Sequence, residues 1–187
     1  MKLFLRLFWL ILTQSRRPRL GILDTSETPL RVLPNDLDIF MHVNNGVYLT
    51  YADLGRTDLM LRSGTFARVR KQGWYPVAAE ASIRFRKSLT LGQRFNIHTR
   101  IAGWDDRAIY VEQNFMQGDT LMAQAFIDAR FLVRGGGKVS VNELLSVLEI
   151  DVQPPEMPAA MQRWIDAKRR DNPTSVDETV TPLSRTG

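Results

Sequence analysis

The 187-residue chain predicts an α+β fold, and three features carry that expectation. Residues 45–62 read as one long helix. The segments after it alternate apolar and polar residues as half-buried strands do. Short glycine and aspartate turns separate those segments. The layout expected is a single buried helix, one strand before it and a four-strand antiparallel meander after it.

The elements follow in chain order. "MKLFLRLFWLILTQSRRPRL" holds an apolar run from Leu3 to Leu12, interrupted by Arg6 and followed by Arg16, Arg17 and Arg19. About ten apolar residues are half of the ~20 needed to span a bilayer. On a helical wheel Lys2, Arg6, Thr13 and Arg17 form one narrow stripe, which suits a helix lying in a membrane interface with its arginines drawn to anionic lipid. Packing on the domain or on a partner subunit, and a secretory signal, are the competing readings of this leader.

Residues 28–33 form a short β-like run before Pro34. In the helix at 45–62, Asn44 or Asn45 can cap the start, Arg62 sits in the last turn and Gly64 can end it. Val47, Tyr48, Leu49, Tyr51, Leu54, Leu59, Met60 and Leu61 spread around most of its circumference, so it is expected to be buried on more than one side. Ala52 and Gly55 make a small-residue face that a sheet could approach closely. Thr50, Asp53, Arg56 and Thr57 mark a polar strip, read as a solvated or subunit-facing edge.

Strands are expected in "VAAEASIRFRKS", "QRFNIHTRIAGW", "RAIYVEQNFMQ" and "TLMAQAFIDARFLV", with turns at Leu91-Gly92, Asp105-Asp106 and Gly118-Asp119. "GGGKVSVNELLSVLEI" reads as a glycine turn and a short helix, and "PPEMPAAMQRWIDAKRR" as another helix opened by prolines. A polar end from about Asp171 is expected to fray. The division expected is a leader over 1–20, one domain over 27–150, and a C-terminal helix with a polar tail over 151–187.

Composition removes several functions. No cysteine is present, so disulfides, thiolate metal sites and cysteine nucleophiles are absent. His42 and His98 are the only imidazoles. The net charge is +5, with 25 basic and 20 acidic residues. Lys2, Arg6, Arg16, Arg17 and Arg19 account for that excess, so the rest of the chain is neutral and nucleic-acid binding is not expected. Gly135 to Lys138 lacks the leading glycine and the Ser/Thr of a phosphate loop. No G-x-S-x-G element occurs.

The stretch "DLDIFMHVNNGVYLTYADLGR", residues 36–56, carries the chemistry. One reading is plain capping and turn formation by Asp36, Asp38, Asn44 and Asn45. Another gathers a metal from Asp36, Asp38 and His42, although nothing else in the chain completes a shell. A third is acyl transfer. A helix N-terminus presents unpaired N–H groups and a positive dipole end, which stabilise an oxygen that becomes anionic. Asp38 precedes the helix by six or seven residues, far enough for a loop to bend its carboxylate back toward the N–H of Asn45 or Gly46. One such donor is worth about 2.7–4 kcal/mol in the transition state.

The order D-x-D, a small loop, H-x-N-N and a Y-L helix resembles the signature of hot-dog-fold acyl-CoA thioesterases of the 4-hydroxybenzoyl-CoA type. "GWDDR" at 103–107 and "PPEMPAAMQRW" at 154–164 further resemble the subgroup around thioesterase superfamily member six, which also begins with an apolar leader. The resemblance implies a hot-dog fold in which an antiparallel sheet wraps the long helix. It implies Asp38 as nucleophile or general base and the Asn45 N–H as the group that polarises the thioester carbonyl. His42, Asn44, Gly46 and Tyr48 would shape the pocket, with no cofactor and no metal. It also implies a homodimer or homotetramer holding acyl-CoA between subunits. Met41 stands where many members carry glycine, and Asp53 where many carry glutamate. Coenzyme A carries phosphates, and Arg84, Arg86 and Lys87 at the end of a predicted strand are candidates to meet them; a solvated face is the alternative reading of those three. A cytoplasmic place, peripheral at the inner membrane face through residues 1–20, completes the expectation. The rival is a catalytically poor acyl-thioester or lipid-binding protein.

Overall fold

The computed structural model describes residues 2–14 and 16–171. Its elements are α1 (Lys2–Gln14), β1 (Ser26–Arg31), a 3-10 turn (Pro34–Asp36), α2 (Asn45–Arg62), α3 (Thr65–Lys71), β2 (Trp74–Phe85), β3 (Arg94–Trp104), β4 (Ile109–Gln117), β5 (Thr120–Val133), β6 (Lys138–Val139), α4 (Val141–Leu148) and α5 (Ala159–Asp171). The fold is α+β, as the alternation and the long helix predict. The polar end expected to fray lies outside the described residues.

The sheet runs β1-β3-β4-β5-β2, antiparallel throughout, with β6 added to β5. The four-strand meander is therefore corrected. Only β3, β4 and β5 follow one another, and β2 crosses to the far edge to pair with β5 over Trp74↔Val133 to Phe85↔Ala123. Three strand spacings of about 4.8 Å separate β2 from β3. Residues 86–93 cover that span easily at about 3.3 Å per extended residue, and Leu89 anchors them in the core. Both edge strands carry a proline, Pro29 and Pro76, where a missing N–H is tolerated.

Alternation along the strands sends two sets of side chains to opposite faces. Ile97, Val111, Phe115, Ala125 and Ile127 pack with Tyr48, Tyr51 and Ala52 of α2 in the main core. Ala102, Tyr110 and Phe126 pack with Met161 and Ile165 of α5 on the other side. At Gly55 α2 lies directly against the sheet. A Cβ there would sit 2.7 Å from Thr99 Oγ1 and 2.8 Å from Gln113 Nε2, so the small-residue face has a steric cause. Gln113 Nε2 also donates to the Ala52 carbonyl at 2.9 Å.

α2 is buried on a second side because α1 packs against it. The orientation of α1 reverses part of the sequence reading. Arg6 and Arg17 turn inward rather than toward lipid. Arg6 Nη2 lies 2.5 Å from Asp36 Oδ2 and its guanidinium sits 5.0 Å from the Tyr51 ring centroid. Arg17 Nη1 lies 2.6 Å from Asp58 Oδ1. Two buried carboxylates require cationic partners, and the stripe supplies them. Asp58 also accepts from Thr28 Oγ1 and Arg62 Nη1.

α2 ends where predicted. Gly64, at φ +74°, breaks the path between α2 and the short α3, a helix that the sequence reading left unassigned.

Candidate active site

The two aspartates of D-x-D have different surroundings. Asp36 closes the 3-10 turn after Pro34 and points inward, accepting from the Leu33 N–H at 2.7 Å as well as from Arg6. Its carbonyl takes the Asn44 N–H at 2.8 Å, which ties the entrance of the loop to its exit. Tyr51 stands beside it, and burial, reinforced by the Asp36 carboxylate, raises the Tyr51 phenol well above its ordinary value.

Asp38 sits two residues on, half-buried, in a tight loop. Its Oδ1 accepts from the Phe40 N–H at 2.9 Å and the His42 N–H at 3.2 Å, an Asx turn that fixes the side chain against its own backbone. The Asp38 N–H donates to the His42 carbonyl at 2.8 Å and the Met41 N–H returns to the Asp38 carbonyl at 3.1 Å. Closing so small a loop puts Met41 at φ +62°, in the left-handed region where glycine costs nothing and other residues about 1–2 kcal/mol. His42 then bridges to Thr90 in the segment that leads into β3.

Asn44 caps α2 with extended ψ, its side chain accepting from the Gly46 N–H at 2.9 Å. The Val47 N–H reaches the Asn44 carbonyl at 2.9 Å. Of the two amides expected to face the substrate, Gly46 is thus occupied, and the Asn45 N–H has no acceptor among the described residues.

Tyr48, one turn on, is buried between Phe85 and Phe115 at centroid distances of 5.0 and 5.3 Å, and burial raises its phenol pKa. Its packing on Phe85 brings the end of β2 to the start of α2. Arg84, Arg86 and Lys87, all exposed, flank Phe85 there. Asp38, His42, Asn44, Asn45, Gly46 and Tyr48 are gathered at one end of the helix, with the three cations around the aromatic neighbour of Tyr48. His98 stays apart on β3, 4.0 Å from Glu27.

Further along α2 lies a cavity of about 260 Å³, walled by apolar side chains that include Met60, Ile101, Val111, Ala129 and Leu144. Asp53, Arg56 and Thr57 line it as well. Arg56 Nη1 donates to Gln113 Oε1 at 2.8 Å, and its other terminal nitrogen pairs with Asp53. Burial lowers the Arg56 pKa and Asp53 opposes that shift. The polar strip of α2 is therefore a cavity rim as well as an edge. Sequence reasoning missed Gln113 as its inner partner. The signal was a lone amide at an inward position between Val111 and Phe115.

Asp36 is turned toward Arg6 and away from any shared centre with Asp38 and His42. Among the described residues no group of three or more His, Cys, Asp or Glu side chains is placed to hold a metal ion.

Comparison with known proteins gives this arrangement a context. A family model described as "Thioesterase-like superfamily" matches residues 32–165. The chain is 39% identical over 134 residues to Protein THEM6 of Xenopus laevis, a match covering 72% of this chain and 64% of that protein, so it spans less than two thirds of the frog relative. It is 32% identical over 163 residues to Protein THEM6 of Danio rerio, covering 87% of this chain and 80% of that one. Among solved structures, Slr0204, a 1,4-dihydroxy-2-naphthoyl-CoA thioesterase from Synechocystis, superposes with a TM-score of 0.58 at 14% identity, over 69% of this chain and 98% of its own. A 4-hydroxybenzoyl-CoA thioesterase mutant complexed with 4-hydroxybenzoyl-CoA gives 0.60 at 13% identity, over 66% and 98%. At these identities the structural likeness speaks for the fold alone.

Proposed function

Since the chain belongs to the thioesterase-like superfamily, we propose that it hydrolyses an acyl-CoA thioester to free acid and CoA. Thioester hydrolysis is the activity class that membership carries. The finer reading concerns substrate and residues. One observation carries it: Asp38 stands in an Asx turn ahead of α2, and the Asn45 N–H at the head of that helix is open.

The chemistry follows from those two groups. The thioester carbonyl accepts a hydrogen bond from the Asn45 N–H, and the positive end of the α2 dipole adds to the stabilisation as the oxygen becomes anionic. Asp38 either attacks the carbonyl carbon, so that the C–S bond breaks, CoA leaves as thiolate and water then hydrolyses the acyl-aspartyl anhydride, or takes a proton from the attacking water and returns it to the CoA thiolate released when the C–S bond breaks. Its Oδ1 is engaged by two backbone N–H groups, so Oδ2 is the oxygen free to react. His42, Asn44, Gly46 and Tyr48 hold the loop and cap around these atoms.

The apolar cavity behind Asp53 and Arg56 suits an aliphatic acyl chain better than a polar one. Arg84, Arg86 and Lys87 suit the phosphates of CoA. A homodimer or homotetramer belongs to this reading, supported by the open edge of β2, where residues 78–81 are all exposed. Residues 27–150 would form the catalytic unit. Peripheral membrane contact through residues 1–20 is part of the same proposal, and no helix among the described residues is long and apolar enough to cross a bilayer.

A panel of acyl-CoA esters assayed for release of free thiol tests the proposal. Turnover of at least one ester, with a preference for aliphatic chains, is expected. Saturable acyl-CoA binding without thiol release would replace it with the lipid-binding alternative.

A further inference from the structure

The apolar face of α1 is turned away from the protein. At about 100° per residue, Arg6, Leu10 and Thr13 fall within an arc of about 60°, and this is the side that carries the Asp36 contact and the buried Leu10. Phe4, Leu5, Phe8, Trp9, Ile11 and Leu12 fill an arc of about 160° on the opposite side. All six are exposed, Phe4 at 75% and Trp9 at 68%. Three such aromatics at about 150–250 Å² each leave about 300–500 Å² uncovered by themselves, as much as the largest patch on an ordinary monomer.

The patch does not end with the helix. Arg6 binds Asp36 and the Arg31 carbonyl, which fastens α1 to the loop that carries Asp38. The tip of that loop is also apolar and open, with Ile39 exposed at 90%, Phe40 at 73% and Met41 at 58%. Three consecutive exposed apolar side chains directly after Asp38 extend the uncovered apolar surface from α1 to this loop.

Charge selects the occupant. Asp36 neutralises the one arginine within the α1 sequence of apolar residues, so the outward arc carries no charge. Arg16 and Arg19, just beyond, are exposed, and no acidic residue precedes Asp24. A second copy docking the same helix face would bring the arginines of the two leaders together as like charges. An anionic bilayer satisfies both parts at once, taking the apolar arc into the acyl boundary and the arginines at the headgroups. At about 1.5 Å per residue the 13-residue helix is about 20 Å long, suited to lying in the interface plane.

We propose that the outward face of α1 and the loop tip Ile39–Met41 form one surface that docks on an anionic lipid bilayer, so that the Asp38 loop faces the lipid. The docking does not depend on hydrolysis. Its use, taking acyl substrate at the membrane surface, rests on the function proposed above.

The test is sedimentation of the full chain with vesicles of phosphatidylcholine plus phosphatidylglycerol, compared with phosphatidylcholine alone. Wild type is expected to pellet with the anionic vesicles and to partition more weakly into neutral ones. Phe8→Glu combined with Trp9→Glu is expected to weaken partitioning at least tenfold, and Phe40→Glu alone to weaken it measurably, both with unchanged circular dichroism. Wild type left in the supernatant, or the helix variant binding as well as wild type, overturns the proposal. So does gel filtration in which that variant splits a larger assembly while vesicle binding is nil, which would assign the face to a second copy. Phe40→Glu partitioning like wild type removes the loop and with it the combined surface. Thiol release from a soluble short-chain acyl-CoA, measured without vesicles, reads the proposed hydrolysis separately.

Discussion

Arg6 Nη2 lies 2.5 Å from Asp36 Oδ2, joining the first helix of the chain to the loop that carries the candidate catalytic carboxylate. Both side chains are largely withdrawn from water, at 13% and 3% exposure. Breaking one half of such a pair leaves the other buried and uncompensated. Arg6→Met is expected to cost about 3–5 kcal/mol, read as a lowered denaturant midpoint. Combining it with Asp36→Asn should recover part of the loss, because the stranded charge is then gone. A single variant as stable as wild type would show that α1 is not fastened there.

Gly55 allows α2 to reach the sheet. A Cβ at that position meets Thr99 Oγ1 and Gln113 Nε2 inside 3.0 Å, along with Ile97 Cγ2 at 3.1 Å. Gly55→Ala is expected to destabilise by about 1–3 kcal/mol through overpacking, despite the better helix propensity of alanine. Thermal unfolding measures it. An unchanged or raised Tm would mean that α2 and β3 stand further apart.

The long helix, its caps and its period were open to reading in the sequence because they depend on local chemistry. Asn44 caps, Arg62 closes the last turn and Gly64 breaks the path. The strand order was not, because alternation reports which face a residue takes and says nothing of which strand lies beside it. Long-range pairing sends β2 to the far edge. The same limit hid Asp58 and Asp36. Asp36 reads in the sequence only as a turn former or metal ligand and Asp58 carries no signal at all, until Arg6 and Arg17, 30 and 41 residues away, fold onto them. At the candidate site, a helix cap and an acidic loop could be read directly. Which aspartate faces inward could not, since both belong to one short polar run.

Asp105 gives the fold an acid limb. Burial alone would raise its carboxyl, but hydrogen bonds from the Tyr110 hydroxyl, the Arg107 and Ala108 N–H groups and Arg169 outweigh that and hold it below its ordinary value of 3.8. A carboxyl lowered by folding stabilises the native state above its unfolded pKa, and that stability is lost as pH falls through the folded value. Asp105→Asn is therefore expected to lower stability at neutral pH and to flatten the decline below pH 3.8. Urea midpoints across that range decide it. Parallel wild-type and variant curves would remove Asp105 from the account.

Under the proposed function the apolar cavity takes the acyl group, and its size then limits chain length. Ile101 and Ala129 line it, so Ile101→Trp or Ala129→Phe should shorten the preferred acyl chain. The expected result is a drop of about tenfold or more in kcat/KM for longer aliphatic esters, with short esters little affected. That corresponds to about 1.4 kcal/mol or more of lost transition-state binding. A chain-length profile that does not move would place the acyl group elsewhere.

The central claim is that the Asp38 carboxylate acts on a thioester polarised at the head of α2. Asp38→Asn tests it most directly, because asparagine retains the oxygen that accepts from the Phe40 and His42 N–H groups and so preserves the turn while removing the charge. With thiol release from the best acyl-CoA ester as the readout, a loss of about 10²–10⁴-fold in kcat is expected, at unchanged Tm. Turnover equal to wild type in that variant would contradict the account.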